Sequence, residues 1–334
     1  MNVDTLDESS GSIKRRQLFD LFSQNLNTVK KHPGVHMAPD FDEGYLCPIC
    51  FKLFGRDALS TKYDDHLTLE DIPPQCLGGK VLALTCKICN NRAGSELESD
   101  LSKKLHADAF LARTPGIEME ARFSPDPSTE LAATVRFMAD DVVSVMYDPK
   151  RSHPDAVTRL HKLEETGRIS EVTLEFQLGY RVGRPEVALL RIAYLLAFAR
   201  FGYGFLMNPH LLPVRHQIQT PSEKLLPDFG VIKWDFPDSA VGIGVVYEPK
   251  ELQSFLIVFD LNTQSEKVRY GVLLPGPTEP GLHVYEHIAE LRQADNRLPI
   301  MHRIRMIPAG EYLQNPKLAY ASLDYWKAFL EIAT

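Results

Sequence analysis

A chain of 334 residues can hold two domains, or one large domain with an appended module, and is too long to be a free-standing zinc finger. Hydrophobic residues at 44% and charged residues at 24% are the ordinary balance of a folding chain, which excludes wholesale disorder. A formal net charge of -7 excludes a protein that coats nucleic acid through bulk positive charge, so any such contact must be local.

In chain order, residues 1–12 are polar and acidic and are expected to be disordered. Ile13, Leu18, Phe22, Leu26 and Val29 then recur at near-helical spacing and predict one amphipathic helix that stops by Pro33. Residues 33–44, with Pro39 and Gly44, read as a connector. Strand-like patterning runs from His66 to Ile72, is broken by Pro73, Pro74, Gly78 and Gly79, and resumes from Val81 to Thr85. Ala93, Leu97, Leu101 and Leu105 fall four apart and form the apolar stripe of a helix that starts at Asn90 and ends near Ala107.

Beyond Pro115 the pattern predicts strands over residues 116–123, 130–137 and 141–147, a helix over 154–164 and a strand over 171–178. Pro185 sits where a helix would start, and Val187 to Phe201 is apolar nearly all round, which suits a helix buried in a large core. Later strands are expected over residues 241–247, 255–261 and 268–274, with a terminal helix over 319–332. The apolar tract is interrupted by Arg191 and Arg200, and the N-terminus lacks the basic-then-apolar pattern of a secretory leader. The expectation is a cytoplasmic protein with no membrane segment.

Four of the five cysteines form two C-x-x-C pairs, Cys47 with Cys50 and Cys86 with Cys89, separated by 35 residues. In a reducing compartment such pairs serve metal rather than disulfides, and four thiolates in two turns are what tetrahedral zinc requires. Cys76 lacks a partner at ligand spacing and reads as a buried or loop thiol.

Inside this frame lie the acidic pair Glu70-Asp71 before Ile72-Pro73-Pro74, and Asn90 directly after the last cysteine. The run LTLEDIPPQCLGGKVLALTCKICNNRAG resembles the four-cysteine, zinc-bearing branch of the HNH endonucleases. The usual pattern there is an acidic residue, a histidine and a nearby proline, then a Gly-Gly loop, then C-x-x-C-N opening a helix. The resemblance covers roughly sixty residues. It implies a fold class of α+β: a zinc-stapled ββα-metal module over residues 45–110, preceded by a tail and amphipathic helix over 1–44. A larger mixed α/β domain over 115–334 would follow, for target or partner recognition or homo-oligomer formation.

The resemblance also implies a structural Zn²⁺ and one catalytic divalent cation, Mg²⁺ or Mn²⁺, held between Glu70 and Asn90. The activity implied is metal-dependent endonuclease cleavage of nucleic acid, with DNA the expected substrate; the alternative is a non-catalytic zinc module that binds nucleic acid or protein. Two departures stand out. Asp71 occupies the position of the family's histidine base, and a carboxylate with an ordinary pKa of about 3.9 against about 6.5 is the weaker base unless its surroundings raise it. Asp71 is therefore base or second metal ligand, with His66 as a substitute base, although strand periodicity puts His66 on the face opposite Asp71. The family's middle asparagine is not evident in the stretch after Gly79.

Lys80 and Arg92 are candidates for contact with phosphate. His210 and His216 lie between prolines at a spacing that fits no helical metal pair, and read as loop residues. Lys14-Arg15-Arg16 and Lys30-Lys31 flank the first helix and read as solvated helix ends.

Overall fold

The predicted helix forms as α1 (Ser10–Lys30), which buries Leu18, Phe19, Phe22, Leu26 and Val29 but leaves Ile13 of the stripe exposed, and Ser9 caps it by accepting from the Ser12 amide. The computed structural model describes residues 9–33, 35–37, 41–138, 142–169, 171–264, 266–276, 283–295, 301 and 303–321. Helix thus begins within the stretch expected to lack order; residues 1–8, Pro39 of the connector and the terminal helix beyond residue 321 lie outside the described part.

The chain is mixed α+β with antiparallel sheets. By contacts it divides into two units: Met1–Ser99 with Val182–Asn262 and Lys267–Thr334, and Asp100–Arg181 with Thr263–Glu266. In the first, β1 (Tyr45–Leu46) pairs with β2 (Leu53–Phe54), and β3 (Leu67–Ile72) pairs with β4 (Lys80–Cys86), all antiparallel. The turn between β3 and β4 needs both glycines: Gly78 has φ +87°, and a Cβ on Gly79 would lie 1.5 Å from the Pro73 carbonyl oxygen. Helix α2 (Lys87–Ala93) follows β4 at once, giving the strand, loop, strand, helix order read from the sequence.

A π-helical turn, Gly94–Glu98, joins α2 to α3 (Ser99–Leu111). Four residues at about 100° each overshoot a full turn by about 40°, so a strict four-residue stripe drifts around an α-helix. The wider π turn offsets that drift. Ala93, Leu97, Leu101 and Leu105 are all buried.

The first unit also holds α5 (Arg184–Phe201), α6 (Tyr203–Leu206) and α7 (Leu212–Gln219), and five strands: β9 (Val231–Lys233), β10 (Gly242–Glu248), β11 (Ser254–Asn262), β12 (Lys267–Pro275) and β13 (Arg303–Met306). The strand order is β13-β10-β11-β12-β9, with antiparallel neighbours throughout. Helix α8 (Val284–Asp295) and the short α9 (Pro316–Ala321) complete it. Helix α5 is buried nearly all round, as its composition predicts, and touches β11 and β12 as well as β3, β4 and the π turn.

The second unit is a sheet of order β7-β6-β5-β8, made of β5 (Glu118–Asp126), β6 (Thr129–Phe137), β7 (Val143–Tyr147) and β8 (Thr173–Phe176), with α4 (Pro154–Glu165). Phe110 of α3 packs there between Phe137 and Phe176, at 5.0 and 5.1 Å between ring centroids.

One reading is corrected. His216 lies in α7 and His210 in a 3₁₀ turn, Pro209–Leu211, rather than in a loop. The prolines occupy first-turn positions, where a helix needs no N–H from them, so they open helical turns instead of breaking them. Among the described residues no helix is long and apolar enough to cross a membrane.

Three tyrosine hydroxyls serve the short β1 segment and its neighbours. Tyr203 donates to the Leu46 carbonyl at 2.8 Å and accepts from the Leu46 amide at 2.9 Å. Tyr45 does the same for Leu84 of β4, at 2.7 and 3.0 Å, and Tyr194 donates to the Pro48 carbonyl at 2.9 Å. The Tyr203 and Tyr45 hydroxyls take the place of a missing strand neighbour at Leu46 and Leu84, and Tyr194 serves a carbonyl of the cysteine turn, because buried backbone groups cannot go unpaired. Tyr203→Phe should therefore lower stability by about 1–3 kcal/mol, read as the shift in a urea unfolding midpoint. An unchanged midpoint would mean that water serves Leu46 instead.

Candidate metal centre and adjoining carboxylates

The first cysteine pair sits in the turn between β1 and β2. The Cys47 amide donates to the Lys52 carbonyl at 3.0 Å, the Phe51 amide donates to the Cys47 carbonyl at 2.9 Å, and Phe51 takes a left-handed φ of 61° to close the turn. Arg215 of α7 lies 3.6 Å from the centroid of the Phe51 ring, and Gln219 Nε2 donates to the Ile49 carbonyl. The second pair comes from the β4 to α2 junction, where Cys86 ends the strand and Cys89 lies in the first turn of the helix.

The four sulfurs lie within 4.8 Å of one another. Cys50 Sγ and Cys86 Sγ are 3.8 Å apart. Tetrahedral ligands at about 2.3 Å from zinc stand about 3.8 Å from each other, so this separation is the one a bound zinc imposes. Cys47 and Cys86 are buried, Cys89 is half-buried and Cys50 is exposed. Burial pushes the Cys47 thiol up, and hydrogen bonding from Cys47 holds the Cys50 thiol far below its ordinary value. Zinc is bound by thiolates, so a divalent ion at this point would let the four thiols ionise. The cluster is compatible with a structural zinc. Cys76 stands apart, exposed, in the turn after β3.

Beside this cluster, β3 carries the acidic pair. Glu70 pairs across the hairpin with Ala83 and Asp71 with Val81, so β4 has one extra residue, Leu82, opposite the acidic pair. Glu70 is 2% exposed and both of its oxygens are engaged. Oε2 accepts from Thr85 Oγ1 at 2.6 Å, and Oε1 lies 2.8 Å from Arg191 Nη2. The Arg191 side chain is itself only 3% exposed, and its Nη1 donates to Glu98 Oε1 of the π turn at 3.5 Å. Burial raises the Glu98 carboxyl, with Arg191 opposing.

Asp71 is half-buried and makes no side-chain hydrogen bond or ion pair among the described residues. Burial, and then the charge of Glu70, raises its carboxyl above the ordinary aspartate value, which makes it a stronger base than an exposed aspartate. Asn90 uses its Nδ2 to donate to Thr68 Oγ1 at 2.9 Å and to the Leu69 carbonyl at 3.3 Å. Its Oδ1 accepts from no group among the described residues.

His66 is buried at the foot of β3, where Nδ1 contacts the Tyr63 carbonyl at 2.8 Å and its own carbonyl accepts from the Lys87 amide at 2.9 Å. No hydrogen bond among the described residues joins it to Glu70, Asp71 or Asn90. Lys80 is exposed at the start of β4, across from Ile72, and Arg92 donates to the Gln219 carbonyl at 3.1 Å. Sequence reasoning missed Arg191. The signal was present as an arginine in the middle of an apolar tract, Arg200 lying at its end, since a charge on a helix buried nearly all round requires a countercharge.

If the four sulfurs hold one structural zinc, the purified chain should carry one zinc per molecule, Cys86→Ser should lose it, and Cys76→Ser should keep it. Elemental analysis with a thermal melt reads both. Stoichiometric zinc in Cys86→Ser with an unchanged melt would remove the staple.

Comparison with family models, with curated proteins and with solved structures gives no match to this chain.

Proposed function

We propose that the segment from β1 to α2 hydrolyses phosphodiester bonds of nucleic acid in a metal-dependent way, with DNA as substrate. The observation that carries this reading is a pair of hard-oxygen donors with no hydrogen-bond partner among the described residues, the Asp71 carboxylate and Asn90 Oδ1, on a hairpin and helix joined at the four-cysteine cluster. Glu70 lies next to Asp71 in β3 and adds a third hard donor if it leaves Arg191. Carboxylate and amide oxygens suit Mg²⁺ or Mn²⁺.

A divalent cation would neutralise phosphate charge and stabilise the leaving oxygen. Asn90 would present Oδ1 to that cation while its Nδ2 stays on β3, which fixes the amide's orientation. Asp71 would take a proton from water as the water oxygen bonds to phosphorus and the P–O ester bond breaks, the leaving oxygen gaining its proton from solvent. Lys80, exposed at the end of the turn, is the nearest candidate by sequence for a phosphate contact. The zinc would be purely structural.

A second reading, a non-catalytic zinc module for nucleic acid or protein, is favoured by one observation: Glu70 is already neutralised by a buried arginine. Plasmid incubated with the purified chain and Mg²⁺ or Mn²⁺ separates the two. Under the first reading, Asn90→Ala should raise the metal concentration needed for cleavage, and Asp71→Ala should slow the saturated rate by about 10²–10⁴-fold with metal dependence kept. Asp71→His should retain cleavage, since an imidazole near its ordinary pKa is a competent base. No cleavage by the wild-type chain across both metals would leave the second reading.

A further inference from the structure

Arg191 is a full positive charge on a helix otherwise buried among apolar side chains, and its reach ends on two carboxylates from different elements. Nη2 lies 2.8 Å from Glu70 Oε1 but off any hydrogen-bond line, whereas Nη1 makes a directed bond to Glu98 at 3.5 Å. The contact with Glu70 is therefore Coulombic and not locked by direction, and Nη2 is a buried polar atom without a hydrogen-bond partner among the described residues. A guanidinium placed this way does for Glu70 what a divalent cation would do: it neutralises the charge.

We propose that Arg191 is a positioning residue, contributed from outside the zinc-bearing segment, that competes with a divalent cation for Glu70 and is received by Glu98 when the cation takes its place. This rests on the metal-dependent reading above and adds the means by which the resting site is kept charge-balanced. Glu98 is suited to the exchange. It stands in the π turn next to the helix that carries Asn90, already holds the other nitrogen of Arg191, and is one-quarter exposed. Moving the guanidinium from one carboxylate to the other keeps a countercharge on it throughout, so no step leaves it buried and unpaired.

The test is Mn²⁺ binding to the full-length, zinc-loaded chain at pH 8, read from the free-ion EPR signal and independent of cleavage. Arg191→Met removes the competitor and should tighten Mn²⁺ binding by about tenfold or more, while Arg191→Lys, which keeps the charge, should stay near wild type. Glu98→Gln commits the guanidinium to Glu70 and should weaken binding. The double variant Arg191→Met with Glu70→Gln should show no gain.

A gain that survives in the double variant would overturn the proposal, because the effect would then not pass through Glu70. So would unchanged binding in Glu98→Gln, which decides the matter alone if Arg191→Met does not fold. Cleavage of plasmid by the wild type is scored separately. Mn²⁺ shifts without cleavage would sink the nuclease reading alone, and cleavage without the shifts would sink this inference alone.

Discussion

Four sulfur atoms hold two parts of the chain, 35 residues apart, to one point, and the geometry of the β1 to α2 segment depends on that junction. Neither part is long enough to stand alone. β1 and β2 have two residues each, and β3 and β4 form a two-stranded hairpin, an element that is marginal in water without further support. A metal bridging Cys47 and Cys50 to Cys86 and Cys89 would tie the start of α2 to the turn between β1 and β2, and so fix where Asn90 faces β3.

The junction is only half of the support. The hydroxyls of Tyr194 and Tyr203 and the side chains of Arg215 and Gln219 reach the first cysteine turn from α5, α6 and α7. All belong to residues 182–219, more than a hundred positions along the chain. The four-cysteine segment is therefore seated in the same unit as the five-stranded sheet, with α5 touching both.

How much of this could be read from the sequence follows from the range of each interaction. The cysteine spacing is local chemistry and was legible, as were the β3 to β4 hairpin, where alternation and the Gly-Gly turn speak for themselves, and α5, where burial is written in composition. Short elements were not legible. β1, β2 and β9 have too few residues to show a period, and α7 hides behind a proline at its first turn. The Glu70 to Arg191 contact could not be read because nothing near Glu70 announces its partner. The interrupted order of the first unit, which leaves the chain at Ser99 and returns at Val182, has no local signature either.

The Glu70 and Arg191 pair also constrains how this sequence can vary. Their side chains are almost entirely out of water, so replacing one alone strands the other's charge, a loss that for buried pairs is about 3–5 kcal/mol, whereas exchanging both for apolar residues of similar volume is often nearly neutral. Positions 70 and 191 are thus bound to change together or not at all. Divergence at the acidic pair of β3 would be recorded in the apolar helix far down the chain, and a relative that lost the carboxylate would carry an uncharged residue at position 191.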